Sequence, residues 1–240
     1  MFSGARSPRS SMARLTRLCV PGALHLVSIK GNNNQVFAQT AEDFAYLHAL
    51  WLQESKRHGI KVHGHVFLPA SMQVLLTPSD LQSLAKCMQA VGRVYVRWFN
   101  QKYERTGTLW QGRFRSTVVD AKVWLMPCLM YLDWAPVIAK VVDSVDEHAW
   151  GSYAHYSGKV RDPLIDAPEG IWQLGNTPFA RERQYAEMVQ HGLTGPQVVQ
   201  ITSALESGWP LGGAEFVANL QMLTPRRLSP LRPGRPKKTA

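Results

Sequence analysis

The stretch Lys61-Val62-His63-Gly64-His65-Val66-Phe67-Leu68-Pro69-Ala70-Ser71-Met72-Gln73-Val74-Leu75-Leu76 decides how this chain folds. Its two flanks are rich in the β-branched, aromatic and aliphatic side chains that suit a pleated, half-buried surface. Pro69 between them fixes φ and lacks a backbone donor, so it ends one strand where the chain can reverse. The reading is two short strands, Lys61 to Leu68 and Met72 to Leu76, paired as an antiparallel hairpin.

Upstream, Leu24 to Ile29 reads as a strand closed by the turn cluster Gly31-Asn32-Asn33-Asn34. A helix follows, with Thr40 as N-cap, Asp43 three residues on, Phe44, Leu47 and Trp51 on one face, and Gly59 placed to end it. Downstream, a second helix starts at Ser79-Asp80 and carries Leu84, Met88, Val91, Tyr95 and Trp98 along one stripe, with Arg93 and Arg97 one turn apart beside it. Thr117-Val118-Val119 suggests a strand, and residues 121 to 134 a third helix carrying Tyr131. Pro127 lies one turn before Tyr131; it removes a helical hydrogen bond and crowds the carbonyl of Val123 unless the helix begins there. The order β-α-β-β-α-β-α predicts an α+β domain with a mainly antiparallel sheet.

Past Gly158 the periodicity weakens into short helices punctuated by Pro and Gly, such as Pro178 to Gln190, with Gly195-Pro196 breaking the pattern. The expected organisation is a disordered extension over 1–11, a domain over 12–160, a helical region over 161–223 and a flexible basic tail over 224–240.

A chain of 240 residues with 45% hydrophobic content can bury a substantial core. No run approaches the roughly 20 apolar residues needed to span a bilayer, and no apolar core of a secretory signal opens the chain, so the expected location is the cytoplasm. Three separated cysteines, Cys19, Cys87 and Cys128, fit neither a disulfide framework nor a metal knuckle. The formal charge of +10 points to a polyanionic partner through counterion release, without choosing among DNA, RNA and anionic lipid. That charge is clumped: Arg6, Arg9, Arg14 and Arg17 open the chain, and Arg226, Arg227, Arg232, Arg235, Lys237 and Lys238 close it. Between them Arg93, Arg97, Lys102, Arg105, Arg113 and Arg115 face a single acid, Glu104.

Four further motifs accompany the hairpin: Arg93-Val94-Tyr95-Val96-Arg97-Trp98-Phe99-Asn100, Arg105-Thr106-Gly107-Thr108-Leu109-Trp110-Gln111-Gly112-Arg113-Phe114-Arg115-Ser116, Tyr131 through Pro136, and Trp150-Gly151-Ser152-Tyr153. In that order they resemble the REP-associated tyrosine transposases, relatives of the IS200-like single-tyrosine (Y1) transposases. The resemblance implies a ferredoxin-like fold and a reaction in which a tyrosine oxygen attacks a phosphodiester of single-stranded DNA. In that family Mg²⁺ or Mn²⁺ polarises the phosphate, held by two histidines flanking one hydrophobic residue (the HUH motif) and by Asn or Gln four residues after the tyrosine.

Carried onto this sequence, Tyr131 takes the nucleophile position, while the three ligand positions hold Ser71, Gln73 and Ala135. Hydroxyl and carboxamide oxygens are weak neutral donors, and alanine has none. Loss of the cation removes several kcal/mol of transition-state stabilisation. The reading is therefore a DNA-binding protein, without a metal cofactor, that has lost strand cleavage. An active transposase with a rebuilt metal site is the alternative, and an RNA-binding role on the same sheet the third. His63 and His65, alternating on their strand and so sharing a face, are the pair that would rebuild the site; His63 also matches a histidine the family often carries. His25 is expected as a hydrogen-bonded sheet residue, and His48, His58, His148, His155 and His191 show no convergent spacing.

The expected partner is single-stranded or hairpin DNA of the repetitive palindromic kind, gripped by Lys30, Arg93, Arg97, Arg105, Arg113 and Arg115. No membrane and no small-molecule substrate is expected. Trp98, Phe99 and Trp110 read as core more than as stacking platforms. The tail Arg232-Pro233-Gly234-Arg235-Pro236-Lys237-Lys238 resembles an AT-hook, which adds Arg232, Arg235, Lys237 and Lys238 to the DNA contacts.

Overall fold

A computed structural model of the protein describes residues 17–230. The 1–11 extension and the AT-hook-like residues Arg232, Arg235, Lys237 and Lys238 lie outside the described residues.

The elements run β1 (Leu24–Lys30), α1 (Ala41–Arg57), β2 (Ile60–Leu68), β3 (Ser71–Pro78), α2 (Ser83–Lys102), β4 (Arg115–Val119) and α3 (Ala121–Ile138). The predicted order holds. The strands form one antiparallel sheet in the order β2-β3-β1-β4, the ferredoxin-like arrangement. Thr40 and Asp43 cap α1 reciprocally, each side chain accepting from the other's backbone. Helix α2 begins later than expected because the Asp80 carboxylate takes the amides of Gln82 and Ser83, holding residues 79–82 as a lead-in turn. Helix α3 runs straight through Pro127, which therefore sits inside it rather than at its start.

The two sides of the sheet bury separate cores. Val27, Ile29, Phe67, Met72, Val74 and Leu76 pack with Leu47, Trp51, Val91, Tyr95 and Phe99 of α1 and α2. Leu24, Leu26, Val66, Leu68, Leu75 and Val119 pack with Leu125, Leu129 and Leu132 of α3. Strand alternation divides them. Gly64 lets α3 lie close to β2, since a Cβ there would stand 2.6 Å from Leu129 Cδ2.

Beyond α3 come α4 (Tyr153–Tyr156), α5 (Glu169–Trp172), α6 (Pro178–His191), α7 (Gly195–Ser207) and α8 (Ala214–Met222). Gly195-Pro196 does not simply break a helix: Thr194 caps α7 and the proline occupies its first turn, where no amide hydrogen is needed. Tyr185, Val189, Ile201 and Leu205 from α6 and α7 share the α3-side core, so these helices are built onto the sheet domain. Leu228, from the expected tail, is buried beside Val118 and Leu220 and is part of the core. Among the described residues no helix is long and apolar enough to cross a membrane.

Candidate nucleic-acid interface

At one end of the sheet, cross-strand pairing sets Lys30 opposite Ser71, and Ser28 opposite both Gln73 and Arg115. Leu24 and Leu26 of β1, Leu75 of β3 and Val119 of β4 point to the α3 side. By alternation Ser28, Lys30, Ser71, Gln73 and Arg115 share that side. The positions that the resemblance gives to metal ligands are thus next to two of the expected DNA contacts.

Two grooves meet at this end. One, of ≈ 940 Å³, lies between α2 and the 108–114 loop, with Arg93, Arg97, Trp110, Arg113 and Phe114 in its wall. The other, of ≈ 570 Å³, runs from Arg113 past Lys30, Ser28 and Arg115 to Gly208, just beyond the end of α7, with Glu206 as its one acid. Arg17, Gly112, Arg113 and Phe114 line both and form the corner. There the Arg17 guanidinium lies 3.9 Å over the Phe114 ring and its Nε donates to the Phe114 carbonyl oxygen at 3.1 Å. Lys30, Arg93, Arg97, Arg113 and Arg115 are all exposed, and among the described residues none has an acidic partner within ion-pair distance. Arg226 joins the second groove and donates to the Gly208 carbonyl oxygen at 3.2 Å, an ordered position for a residue expected in the flexible tail.

Arg105 lines neither groove. Its guanidinium donates to Gln35 Oε1 at 3.1 Å and sits 5.6 Å from the Phe99 ring, so it holds the loop rather than facing solvent with the others. Lys102 is likewise engaged, bonded to Asp43 at 2.7 Å and Glu42 at 2.6 Å. Phe99 is core, and Trp98 stacks on Tyr46 at 4.3 Å. Trp110 packs edge-on against Phe37 at 4.8 Å and donates its indole N–H to the Gly92 carbonyl. The fit is close at Gly92, where a Cβ would stand 3.3 Å from the indole nitrogen and the ring would have to give by a few tenths of an ångström.

On the α3 side Tyr131 is half-buried, with its phenol oxygen 3.5 Å from Thr202 Oγ1 of α7. Gln73 Oε1 is buried without a hydrogen-bond partner. Ala135 is buried in the α3-side core. Asp133, two residues past Tyr131, is fully enclosed and accepts from the Tyr185 hydroxyl at 2.5 Å and the Ser152 hydroxyl at 3.4 Å. Burial pushes its carboxyl up to about 7, against the pull of both hydroxyls. The Trp-Gly-Ser-Tyr motif is thereby structural: Ser152 joins β2 to Asp133, and Trp150 stacks on Phe44 at 5.4 Å.

The histidine pair does not converge. A register shift between Val62 and Gly64 adds a residue to β2, which breaks the alternation assumed for His63 and His65. His63 is held by Thr77 Oγ1 at 2.8 Å and the Asp166 carbonyl oxygen at 2.7 Å. His65 turns instead to the α1 side, beside Phe67 and His48. Burial presses the His65 imidazole down to about 4, against the pull of Asp162, so it is neutral at pH 7. His25 is the expected sheet histidine, accepting from the Val20 amide and bonded to the Ala23 carbonyl.

The sheet order and the helix pairing define a ferredoxin-like α+β fold. Among solved structures the chain is similar to a REP-associated tyrosine transposase bound to a REP hairpin, with a TM-score of 0.50 at 14% identity, covering 66% of this chain and 93% of that one. A protein described as a transposase from Deinococcus radiodurans R1 matches with a TM-score of 0.33 at 14% identity, over 51% of this chain and 95% of that one. No protein-family model and no curated protein matches the chain.

Proposed function

We propose that the protein binds DNA in single-stranded or hairpin form along the strip Arg93, Arg97, Arg113, Lys30 and Arg115, and that it does not cut what it holds. The carrying observation is that two adjoining grooves bring these five exposed cations together, none of them with an acidic partner in ion-pair range among the described residues. Guanidinium and ammonium groups held on rigid elements suit a phosphate backbone that turns, as it does in a hairpin. The structurally similar transposase is itself bound to a REP hairpin, which makes a repetitive palindrome the first ligand to try. The place of action that goes with this ligand is the cytoplasm.

The absence of cutting rests on the donor set. Ser71, Gln73 and Ala135 supply one hydroxyl, one carboxamide and no third donor, which does not fit Mg²⁺ or Mn²⁺ chemistry at this position. Tyr131 keeps its place on α3, with Thr202 beside its phenol and, among the described residues, no carboxylate or imidazole hydrogen-bonded to it.

Retardation of a labelled DNA hairpin over a salt series tests the reading. If each of the five cations meets one phosphate, log K falls against log salt with a slope of about −3.5 to −4.5. A flat salt response, or tighter binding of an RNA strand of the same sequence, would overturn it.

A further inference from the structure

Three side chains from distant parts of the chain converge on the α1 side of β2, the face of the sheet opposite Gln73. They are His48 of α1, His65 of β2 and Asp162 of the segment after α4, and their ligand atoms all lie within 4.8 Å of one another. His48 Nε2 stands 2.8 Å from Asp162 Oδ1, and His65 Nε2 3.6 Å from Asp162 Oδ2. We propose that this trio is a binding site for a borderline divalent transition-metal ion of the zinc class, which clips α1, β2 and the 162–165 segment together.

Two imidazoles and a carboxylate are a donor set such ions take with three protein ligands and a solvent molecule in the fourth place. Ligand atoms about 2.0–2.1 Å from a tetrahedral zinc are about 3.3 Å from one another. The 2.8 Å from His48 to Oδ1 and the 3.6 Å from His65 to Oδ2 lie either side of that value, and with every ligand atom within 4.8 Å of the others, side-chain rotation would have to draw the trio onto one ion.

Two independent features point the same way. First, Asp162 is oriented from outside the trio: the Leu164 amide donates to its Oδ1 at 2.8 Å, and its own amide donates to His155 Nδ1 at 3.1 Å. Outer partners of this kind aim a ligating carboxylate. Second, His65 is only 1% exposed, yet its Nδ1 has no hydrogen-bond partner and its Nε2 stays beyond hydrogen-bond range of Asp162. A coordinate bond at Nε2 would give that buried ring nitrogen the partner that Asp162 stands too far away to be, while Nδ1 stays unpaired. Access is also provided, since the His48 and Asp162 side chains are 21% and 14% exposed and form the mouth above His65.

The site would act structurally. Ile165 bridges Val62 and the Asp166 amide donates to the Val62 carbonyl, so the 162–166 segment is already laid against β2. An ion fixes that seam where the later helices leave the sheet domain.

The test uses the untagged full chain, stripped with a chelator and titrated with Co²⁺, whose visible absorption reports low-symmetry coordination. One saturating equivalent is expected, displaced by Zn²⁺ and lost in both His48→Gln and Asp162→Asn. Zn²⁺ should also raise the melting temperature of the wild type and leave both variants unmoved. Failure to saturate at one equivalent, or the same spectrum in either variant, would overturn the site. Should either variant misfold, the wild type decides alone: Zn²⁺ must shift the ring resonances of His48 and His65, and unmoved resonances refute the proposal.

Discussion

Two cations of the strip, Lys30 and Arg115, and two of the ligand positions beside them, Ser71 and Gln73, occupy neighbouring rungs of one sheet, but they have opposite character. Among the described residues Lys30 and Arg115 are exposed and without acidic partners, next to residues that are neutral, half-buried and, at Gln73, left with an unpaired buried oxygen. A surface that only had to stay soluble would intersperse acids among its cations. A site that had to hold a cation would offer it imidazole or carboxylate. Gripping and cutting are therefore separable: the same β1–β3–β4 framework carries the charge for the first and lacks the donors for the second.

Removing charge from the gripping side should have the strongest consequence. Arg93→Ala with Arg113→Ala takes one cation from the α2 groove and one from the shared corner and should weaken hairpin binding on the order of 100-fold while lowering the salt slope by about 2. Retardation assays at several salt concentrations read both quantities. Arg105→Ala, by contrast, should leave the slope unchanged and lower stability, because its guanidinium holds Gln35.

A second consequence lies beneath the other side. The Asp133 carboxyl, raised to about 7 by burial, keeps its proton in the folded chain where an unfolded chain has lost it. The native state then binds more protons, so this group's contribution is full below pH 4 and lost as pH rises to about 7. Urea unfolding of wild type and Asp133→Asn across that range should show their stability difference changing by a few kcal/mol. A constant difference would mean that the carboxyl titrates normally.

The weakest consequence falls on the boundary between the two regions. Gln73→Leu removes a buried acceptor that has no partner, so stability should stay level or rise by about 1 kcal/mol, with hairpin affinity unchanged. A clear loss of affinity would show that Gln73 belongs with the cations after all.

Much of this was legible in the sequence. The hairpin around Pro69, the Thr40 cap and the β-branched triplet before α3 are local signals, and they set the order of elements, hence the sheet. Exposure of Arg93 and Arg97 followed from their place beside the stripe of α2. What failed depended on contacts between distant residues. The bulge after Val62 adds one residue that no pattern announces, and it sends His63 and His65 to different faces. The trio with His48 and Asp162 joins residues 114 apart in the chain, which spacing cannot reveal. Arg105 looked like its neighbours, yet it is engaged by a glutamine 70 residues away.

Whether this chain holds DNA that it cannot break is open to a single experiment. Labelled single-stranded hairpin DNA is incubated with the protein and Mn²⁺ or Mg²⁺, then resolved under denaturing conditions for a covalent protein–DNA adduct. We expect no adduct from the wild type and a lane indistinguishable from Tyr131→Phe, under conditions where both retard the hairpin equally. An adduct formed by the wild type and absent from Tyr131→Phe would refute the loss of cutting.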